Sequence, residues 1–181
     1  MTNRAAAARY ARALFDVSLK ESDPQAVERE LAAFVELVSG HDLLLKVMTN
    51  PAVPAPRKQA LVTQLTARAG LSAAPAKLLA LLAGRDRLAL LRDLLDDYRR
   101  RVLDHLNIVR AEVTTAVPLP ADRVEALGRA FAGVTGRKVL VTARVDPAVI
   151  GGVVARLGGT VYDGSVRRHL ERIREALTAG T

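Results

Sequence analysis

Residues 108–117 read IVRAEVTTAV, and the hydrophobic period of the chain changes here. Every second residue from Val109 to Val117 is apolar or threonine, and most of the residues between them are polar. A period of two predicts a β-strand with one buried face. Prolines at 118 and 120 end the strand, because proline lacks a backbone donor. This strand separates two parts of the chain with different predicted secondary structure.

Upstream of the strand the sequence predicts six α-helices, because apolar residues recur at spacings of three and four. In the first helix this stripe consists of Tyr10, Ala13, Leu14 and Val17. Glycines at 40, 70 and 84 and the proline-rich residues 50–56 separate the helices. The expected ranges are about 3–20, 24–39, 42–48, 56–69, 73–83 and 88–105, with Asp23, Asp42 and Ser72 as N-caps. Residues 1–105 are therefore predicted to form an antiparallel six-helix bundle.

Downstream, residues 106–181 are predicted to form a small α/β domain of order β-α-β-β-β-α. Nine of the twelve glycines lie here, as a part rich in strands and turns requires. After the first strand we expect a helix ending at Gly136, strands Lys138–Val145, Val153–Leu157 and Thr160–Tyr162, and a helix Val166–Leu177. Gly158 and Gly159 would form the hairpin turn, and Ser165 would cap the last helix. The predicted fold class is α + α/β.

The composition excludes several classes of site. The chain has no cysteine, so it can form neither disulfides nor thiolate metal sites, and its three histidines are far apart in sequence. No metal or cofactor is therefore expected. No apolar run approaches the roughly 20 residues that span a bilayer. The basic, alanine-rich opening resembles a transit peptide, but its helical pattern continues without a break, so we interpret it as a structural helix.

The net charge of +8 raises the question of nucleic-acid binding. The excess is spread evenly, with +4 in residues 1–105 and +4 in residues 106–181, and forms no block. Three Phe, three Tyr and no Trp leave few rings for stacking on bases. A basic helical protein associated with nucleic acid stays open as an alternative function.

Candidate catalytic groups are few. Asp163, Ser165 and His169 contain the residue types of a hydrolase triad, but G-x-S-x-G is absent and Ser165 stands where a helix cap is needed. Asp93, Asp96 and Asp97 alternate with arginines, which is typical of a solvated helix face. The paired glycines after residue 150 fit neither phosphate-binding spacing. The sequence predicts no active site, and a small α/β enzyme is only a third possibility.

Four stretches together resemble one known family. They are ARYARALF at 8–15, Asn50-Pro51, LALLAGRDRL at 79–88, and VDPAVIGGVVARLGGTVYDGSVRRHL at 145–170. Over essentially its whole length the chain is similar to the delta subunit of F-type ATP synthases, called the oligomycin-sensitivity-conferring protein in mitochondria. It departs from the family pattern at Pro120, where Ser or Thr is usual, at Gly159, where Asp is usual, and at Tyr162, where Ile is frequent.

The resemblance implies a non-catalytic subunit of the peripheral stalk, without cofactors. Such a subunit joins the α/β catalytic hexamer to the b-type stalk subunits, so that the hexamer resists rotor torque during proton-driven ATP synthesis. It implies that residues 1–105 bind the amino-terminal helices of α subunits, mainly through the first and fifth helices, and that residues 106–181 bind the stalk. It also implies a peripheral membrane protein on the cytoplasmic face of the bacterial cell membrane, held there only through the complex.

The resemblance also suggests where each partner binds. Tyr10, Ala13, Leu78 and Leu81 are expected to border the groove for the α-subunit helix; the alternative is that all four belong to the core. Arg167, Arg168 and Arg172 are expected to complement the charge of the stalk subunits. Arg167 and Arg168 stand in the first turn of the predicted last helix, where the helix dipole disfavours cations. The alternative for these three is ordinary solvated surface.

Overall fold

The computed structural model describes residues 3–158, 160–170 and 172. The chain forms two compact units that divide between Val102 and Leu103, whereas the sequence predicts the boundary between residues 105 and 106. Each unit contains its own cluster of buried apolar side chains. The expected fold class is confirmed at the coarse level, since helices are followed by a part with a small four-stranded sheet.

The described residues of the first unit form helices joined by short turns, without a strand. Its elements are α1 (Asn3–Glu21), α2 (Pro24–Ser39), α3 (Asp42–Thr49), α4 (Ala55–Arg68), α5 (Ala73–Gly84), a short 3-10 turn (Leu88–Leu90) and α6 (Leu91–His105), which crosses the boundary. The predicted start of α2 is confirmed. The Asp23 carboxylate accepts the Gln25 backbone N–H at 3.0 Å, and Pro24 occupies the first helical position, where its missing donor costs nothing.

The predicted N-cap position is confirmed at Ser72, although its side chain does not cap α5, and it is wrong at Asp42. Ser72 precedes α5, but its hydroxyl and its backbone N–H both donate to the Glu30 carboxylate of α2, each at 2.8 Å. A hydrogen bond to a charged acceptor is stronger than one to a neutral group. The Ser72 side chain therefore bonds to Glu30 instead of capping α5. Asp42 is the first residue of α3, and His41 stands at the N-cap without a side-chain capping bond.

Tyr98 is the largest of the completely buried side chains of the first core. Its hydroxyl oxygen lies 2.9 Å from Ser18 Oγ and 3.2 Å from the Pro24 carbonyl oxygen, which satisfies a polar group that burial would otherwise destabilise. Its ring meets Phe15 edge-on, with centroids 6.0 Å apart. Other fully buried side chains around it are Val27, Leu31, Phe34, Leu79, Leu82 and Leu94.

The second unit is a four-stranded sheet with one helix packed against it. Its elements are β1 (Ile108–Thr115), α7 (Ala121–Thr135), β2 (Lys138–Val145), a 3-10 turn (Pro147–Val149), β3 (Gly152–Leu157) and β4 (Thr160–Ser165), after which residues 166–170 and 172 are helical. The strand order is β2-β1-β3-β4. β1 and β2 are parallel, so α7 supplies the crossover that a parallel pair needs. Leu127 and Phe131 of α7 cover the buried Ala111 and Val113.

The strand ends differ from the prediction at β1 and β4. β1 stops at Thr115 rather than Val117, because the Thr115 hydroxyl donates to the Val117 carbonyl at 2.8 Å and turns the chain. β4 continues past Tyr162 to Ser165, which pairs with Gly152 of β3. Gly158 has the positive φ, +56°, that the predicted hairpin turn requires. Gly159 and residues 171 and 173–177 of the predicted last helix lie outside the described residues.

Gly152 explains how β4 can extend so far. Its φ of +85° lies in the region that favours glycine, and a Cβ built on it would lie 2.4 Å from the Gly164 carbonyl oxygen and 3.0 Å from Ser165 Cα. The backbones of β3 and β4 therefore meet closely at this end of the hairpin because no side chain separates them.

We predict that Gly152→Ala lowers the free energy of unfolding of the second unit by about 2–4 kcal/mol, from backbone strain and overpacking together. Urea denaturation of the full chain measures this. Gly133→Ala is the matched control, because Gly133 lies in α7 with nothing within 4 Å of its Cβ position. The control should be stabilising by about 0.5–1 kcal/mol. Equal effects of the two substitutions would contradict this account.

Candidate functional site

The residues predicted at the α-subunit groove lie along one side of α1. Tyr10, Ala13 and Val17 are spaced by three and four residues, so they share a face of the helix. Tyr10 is half-buried and packs against the core, whereas Ala13 and Val17 are exposed. The fully buried face, around Ala11, lies beside this stripe. The stripe therefore runs along the margin of the core and reaches solvent.

α5 has more apolar surface than the core covers. Its sequence, AAPAKLLALLAG, contains one charged residue, Lys77. Leu79 and Leu82 are fully buried, Leu78 is half-buried against the core, and Leu81 is 41% exposed. A single exposed leucine would be ordinary, but Leu78 and Leu81 are neighbours on the same side of the helix. This side of α5 has the character of a contact surface.

Side chains connect α1 and α5, which pack against each other. Arg85, directly after α5, lies one helical turn beyond Leu81. Its Nη1 lies 3.5 Å from the Tyr10 hydroxyl oxygen, and Nη1 of Arg87 donates to the same oxygen at 2.8 Å. The Arg87 guanidinium also lies over the Tyr10 ring, 6.0 Å from its centroid. Tyr10 thus joins the α1 stripe to the end of the α5 stripe.

We call Tyr10, Ala13, Leu78 and Leu81 the α1–α5 face. None of the four is fully buried, and Ala13 and Leu81 are exposed. The alternative in which all four belong to the core is therefore wrong for Ala13 and Leu81. That this face receives an α-subunit helix stays a prediction.

The two arginines change the acidity of Tyr10. Burial raises the pKa of the Tyr10 hydroxyl, but hydrogen bonds from Arg85 and Arg87, together with their positive charges, lower it further than burial raises it. The net pKa of Tyr10 lies below the ordinary value for tyrosine. Tyr98 shows the opposite behaviour, because burial raises its pKa and nearby carboxylates add to the increase.

An ion pair between a buried lysine and an exposed aspartate holds the turn that carries these arginines. Lys58 of α4 is fully buried, and its ammonium donates to the Asp86 carboxylate. Asp86 has a φ of +53°, a conformation that aspartate tolerates better than most residues. Because an unpaired ammonium in the core is strongly unfavourable, Lys58 fixes Asp86, and with it the flanking Arg85 and Arg87. Sequence reasoning missed this lysine, since local pattern does not show that a cation is buried.

The three arginines predicted at the stalk interface are all exposed. The Arg168 backbone N–H donates to Ser165 Oγ at 3.3 Å, so the predicted cap at Ser165 is confirmed. Nη2 of Arg172 lies 3.1 Å from Nδ1 of His169. The structure places Arg167, Arg168 and Arg172 on the helical residues that follow β4. Their binding role stays a prediction.

The candidate catalytic groups have structural partners. The Asp163 carboxylate accepts the Ser165 backbone N–H at 3.0 Å, and hydrogen bonds from Ser165 hold the pKa of Asp163 below its usual range. Asp97 is buried and pairs with Arg100 at 2.6 Å, so the expected solvated face is wrong for this one aspartate. Nowhere in the described ranges do three His, Asp or Glu side chains cluster as a metal site would require.

Sequence reasoning also missed an open groove in the second unit. It lies between α7 and the edge strand β2 and has a volume of about 420 Å³. Val124, Gly128 and Val141 are among its lining residues. A Cβ at Gly128 would lie 3.5 Å from Val141, an ordinary van der Waals distance, so the helix packs on the strand without needing glycine there. Local sequence pattern gives no signal for this groove, because the groove depends on how the helix packs on the strand.

No helix in the described ranges has the length and apolar character needed to cross a membrane. The chain combines a helical unit that has an exposed apolar face with a small α/β unit that presents exposed arginines. These features favour a protein that acts through contact surfaces.

Comparison with known proteins identifies the family. The model of the ATP synthase delta (OSCP) subunit family matches residues 6–177, and the chain belongs to this family. It is 39% identical over 171 residues to ATP synthase subunit delta of Anaeromyxobacter dehalogenans strain 2CP-1, covering 94% of this chain and 96% of the relative. It is 37% identical over 179 residues to the protein of the same name from Myxococcus xanthus strain DK1622, covering 98% of each.

A solved structure shows the same fold. A chain of the cryo-EM structure of the Toxoplasma gondii mitochondrial ATP synthase hexamer matches with a TM-score of 0.68 and 23% identity, covering 95% of this chain and 97% of that one. Membership of the family confirms two predictions: the chain is a peripheral-stalk subunit of an F-type ATP synthase, and it is not a catalytic subunit.

We predict that Arg87→Gln raises the pKa of Tyr10, because it removes a hydrogen bond and a positive charge that favour the phenolate. NMR titration of the tyrosine ring signals at alkaline pH measures the change. Arg92→Gln is the control, since Arg92 is exposed on α6 and lies against residues of α2 and α3. A Tyr10 titration that is unchanged in Arg87→Gln would show that the pair does not form in solution.

Proposed function

We propose that the first unit binds the amino-terminal helices of ATP synthase α subunits and that the second unit binds the distal end of the b-type stalk subunits. The chain would thereby tie the α/β hexamer to the peripheral stalk on the cytoplasmic face of a bacterial membrane and hold the hexamer against rotor torque. The helices of the first unit act as one antiparallel bundle in this proposal. The uncovered apolar side of α5, next to the stripe on α1, is the observation that carries it.

The α1–α5 face suits an amphipathic helix as its occupant. Such a helix docks through apolar residues spaced by three and four, the same spacing that Tyr10, Ala13, Leu78 and Leu81 present. Burial of the exposed part of Leu81 on docking contributes about 1–2 kcal/mol to the binding free energy. The small side chain of Ala13 leaves room for the backbone of a second helix to approach.

The second unit offers a surface of different character after β4. Val166 and Leu170 are 45% and 59% exposed and four residues apart, so they form a short apolar stripe on the helical residues. Arg167, Arg168 and Arg172 lie beside this stripe. An apolar centre with a basic margin fits an amphipathic stalk helix that carries acidic residues.

We predict that Ala13→Phe weakens binding of a synthetic peptide of the α-subunit amino-terminal helix by at least about tenfold, or 1.4 kcal/mol, because the ring occupies the space of the docking helix. Binding to the full chain is measured by isothermal titration calorimetry. The melting temperature should stay within about 2 °C of the wild type, since Ala13 is exposed.

The control for this substitution is Ala60→Phe, which adds the same ring to an exposed alanine of α4. It should leave peptide affinity unchanged. Loss of stability in step with loss of affinity would make Ala13 an ordinary packing position. Micromolar, steeply salt-dependent binding of duplex DNA, with no affinity for the peptide, would support the nucleic-acid alternative instead.

We predict that neutralising Arg167, Arg168 and Arg172 together to glutamine weakens binding of the b-type subunit by about tenfold at low salt, and that the effect shrinks as salt is added. Charges at the margin of an interface act mainly on the association rate, so each single change should have a small effect. Surface plasmon resonance measures the association and dissociation rates.

The control changes three other exposed arginines of the second unit to glutamine: Arg110, Arg144 and Arg156. Their side chains share one face of the sheet, as the strand register shows. An equal loss of affinity in both triple variants would mean that total charge, rather than the surface after β4, determines stalk binding.

A further inference from the structure

The cluster of Tyr10, Arg85 and Arg87 has an excess of positive charge. Two guanidinium groups approach one neutral hydroxyl oxygen, at 3.5 Å and 2.8 Å. A neutral phenol accepts hydrogen bonds but does not balance the charge of two cations. Both arginines are exposed, so a ligand can reach them.

Among the described residues, no carboxylate forms an ion pair with this cluster. Within residues 3–158, 160–170 and 172, no ion pair involves Arg85 or Arg87. The acid nearest in sequence is Asp86, but its carboxylate accepts from the buried ammonium of Lys58. Asp86 is therefore paired with the buried Lys58 and not with the flanking guanidinium groups.

The cluster lies at the end of the α1–α5 face. Leu78, Leu81 and Arg85 are spaced by three and four residues, so the arginine continues the line of the leucines by one turn. A helix that lies along Leu78 and Leu81 would bring one of its ends to Arg85. Arg87 and Tyr10 lie next to Arg85, because both arginines contact the Tyr10 hydroxyl. The same end of the docked helix would therefore be near all three side chains.

We infer that Tyr10, Arg85 and Arg87 form a carboxylate-binding subsite that takes an aspartate or glutamate side chain of the helix docked on the α1–α5 face. The inference rests on the proposed function, since the docked helix is that of the α subunit. A carboxylate matches the fork of a guanidinium, and two such groups can share its oxygens. The apolar residues of the α1–α5 face supply affinity, and the subsite fixes the direction and register of the bound helix.

A double-mutant cycle tests the subsite with the full chain and the synthetic α-subunit peptide. In the protein, Arg85→Gln and Arg87→Gln are combined; in the peptide, each acidic residue is changed in turn to its amide. The protein change should weaken binding by about tenfold at low salt, and one peptide change should do the same. When the substituted protein and that substituted peptide are combined, the loss of affinity should be little larger than the loss from either change alone, because both changes remove the same contact.

The titration of Tyr10 gives a second readout that does not depend on affinity. A bound carboxylate offsets the charge of the arginines, so the unmodified peptide should raise the pKa of Tyr10. The peptide that lacks the critical acid should raise this pKa less at saturation, because it buries Tyr10 without adding a negative charge. Arg92→Gln, which removes an exposed arginine of α6 that lies against α2 and α3, should alter neither affinity nor the Tyr10 titration.

The possible failures are distinguishable. If the unmodified peptide binds but every pair of changes is additive, the subsite is wrong and the proposed function stands. If the unmodified peptide does not bind the wild-type chain, the proposed function fails and the subsite with it. If the doubly substituted protein keeps full peptide affinity but loses affinity for a DNA duplex, the ligand is a phosphate and the inference is overturned.

Discussion

The apolar character of α5 is the constraint on which the rest of the first unit depends. A helix with one charged residue in twelve has no polar side to turn towards water, so it must be covered on more than one side. The core covers Leu79 and Leu82, and α1 packs alongside. Leu81 and the neighbouring part of Leu78 remain accessible. The chain belongs to the ATP synthase delta (OSCP) subunit family, and we propose that this accessible surface is where it binds another subunit.

Polar contacts define where this apolar surface ends. The buried Lys58 neutralises Asp86 and holds the turn after α5 in a conformation with positive φ. That turn carries Arg85 and Arg87 to Tyr10 on α1, so the ion pair between α4 and the turn after α5 helps to determine which groups stand beside the exposed leucines. The second unit has a smaller core, whose fully buried apolar residues are Ala111, Val113, Ala155 and Leu157 among those described. Its surface offers an open groove beside β2 and the basic turns after β4.

The sequence predicted those features that depend on local pattern. Periods of two and 3.6 gave the strands and helices, and Asp23 and Ser165 cap as expected because their acceptors lie within three residues of the donors. Features that depend on distant partners were missed. Ser72 bonds to Glu30, forty-two residues away in sequence, and Lys58 pairs with Asp86, twenty-eight residues away. The site residues came from resemblance, and only the structure distinguishes the exposed Ala13 and Leu81 from the half-buried Tyr10 and Leu78.

The most direct test of the central claim is a cryo-EM structure of the intact ATP synthase that contains this chain. The claim is that the apolar surface left uncovered on α1 and α5 is where the catalytic part of the enzyme is held. The account predicts a helix from an α subunit lying along Ala13 and Leu81, with both side chains removed from solvent. An assembled complex in which α subunits contact other elements of the chain, while Ala13 and Leu81 still face solvent, would contradict it.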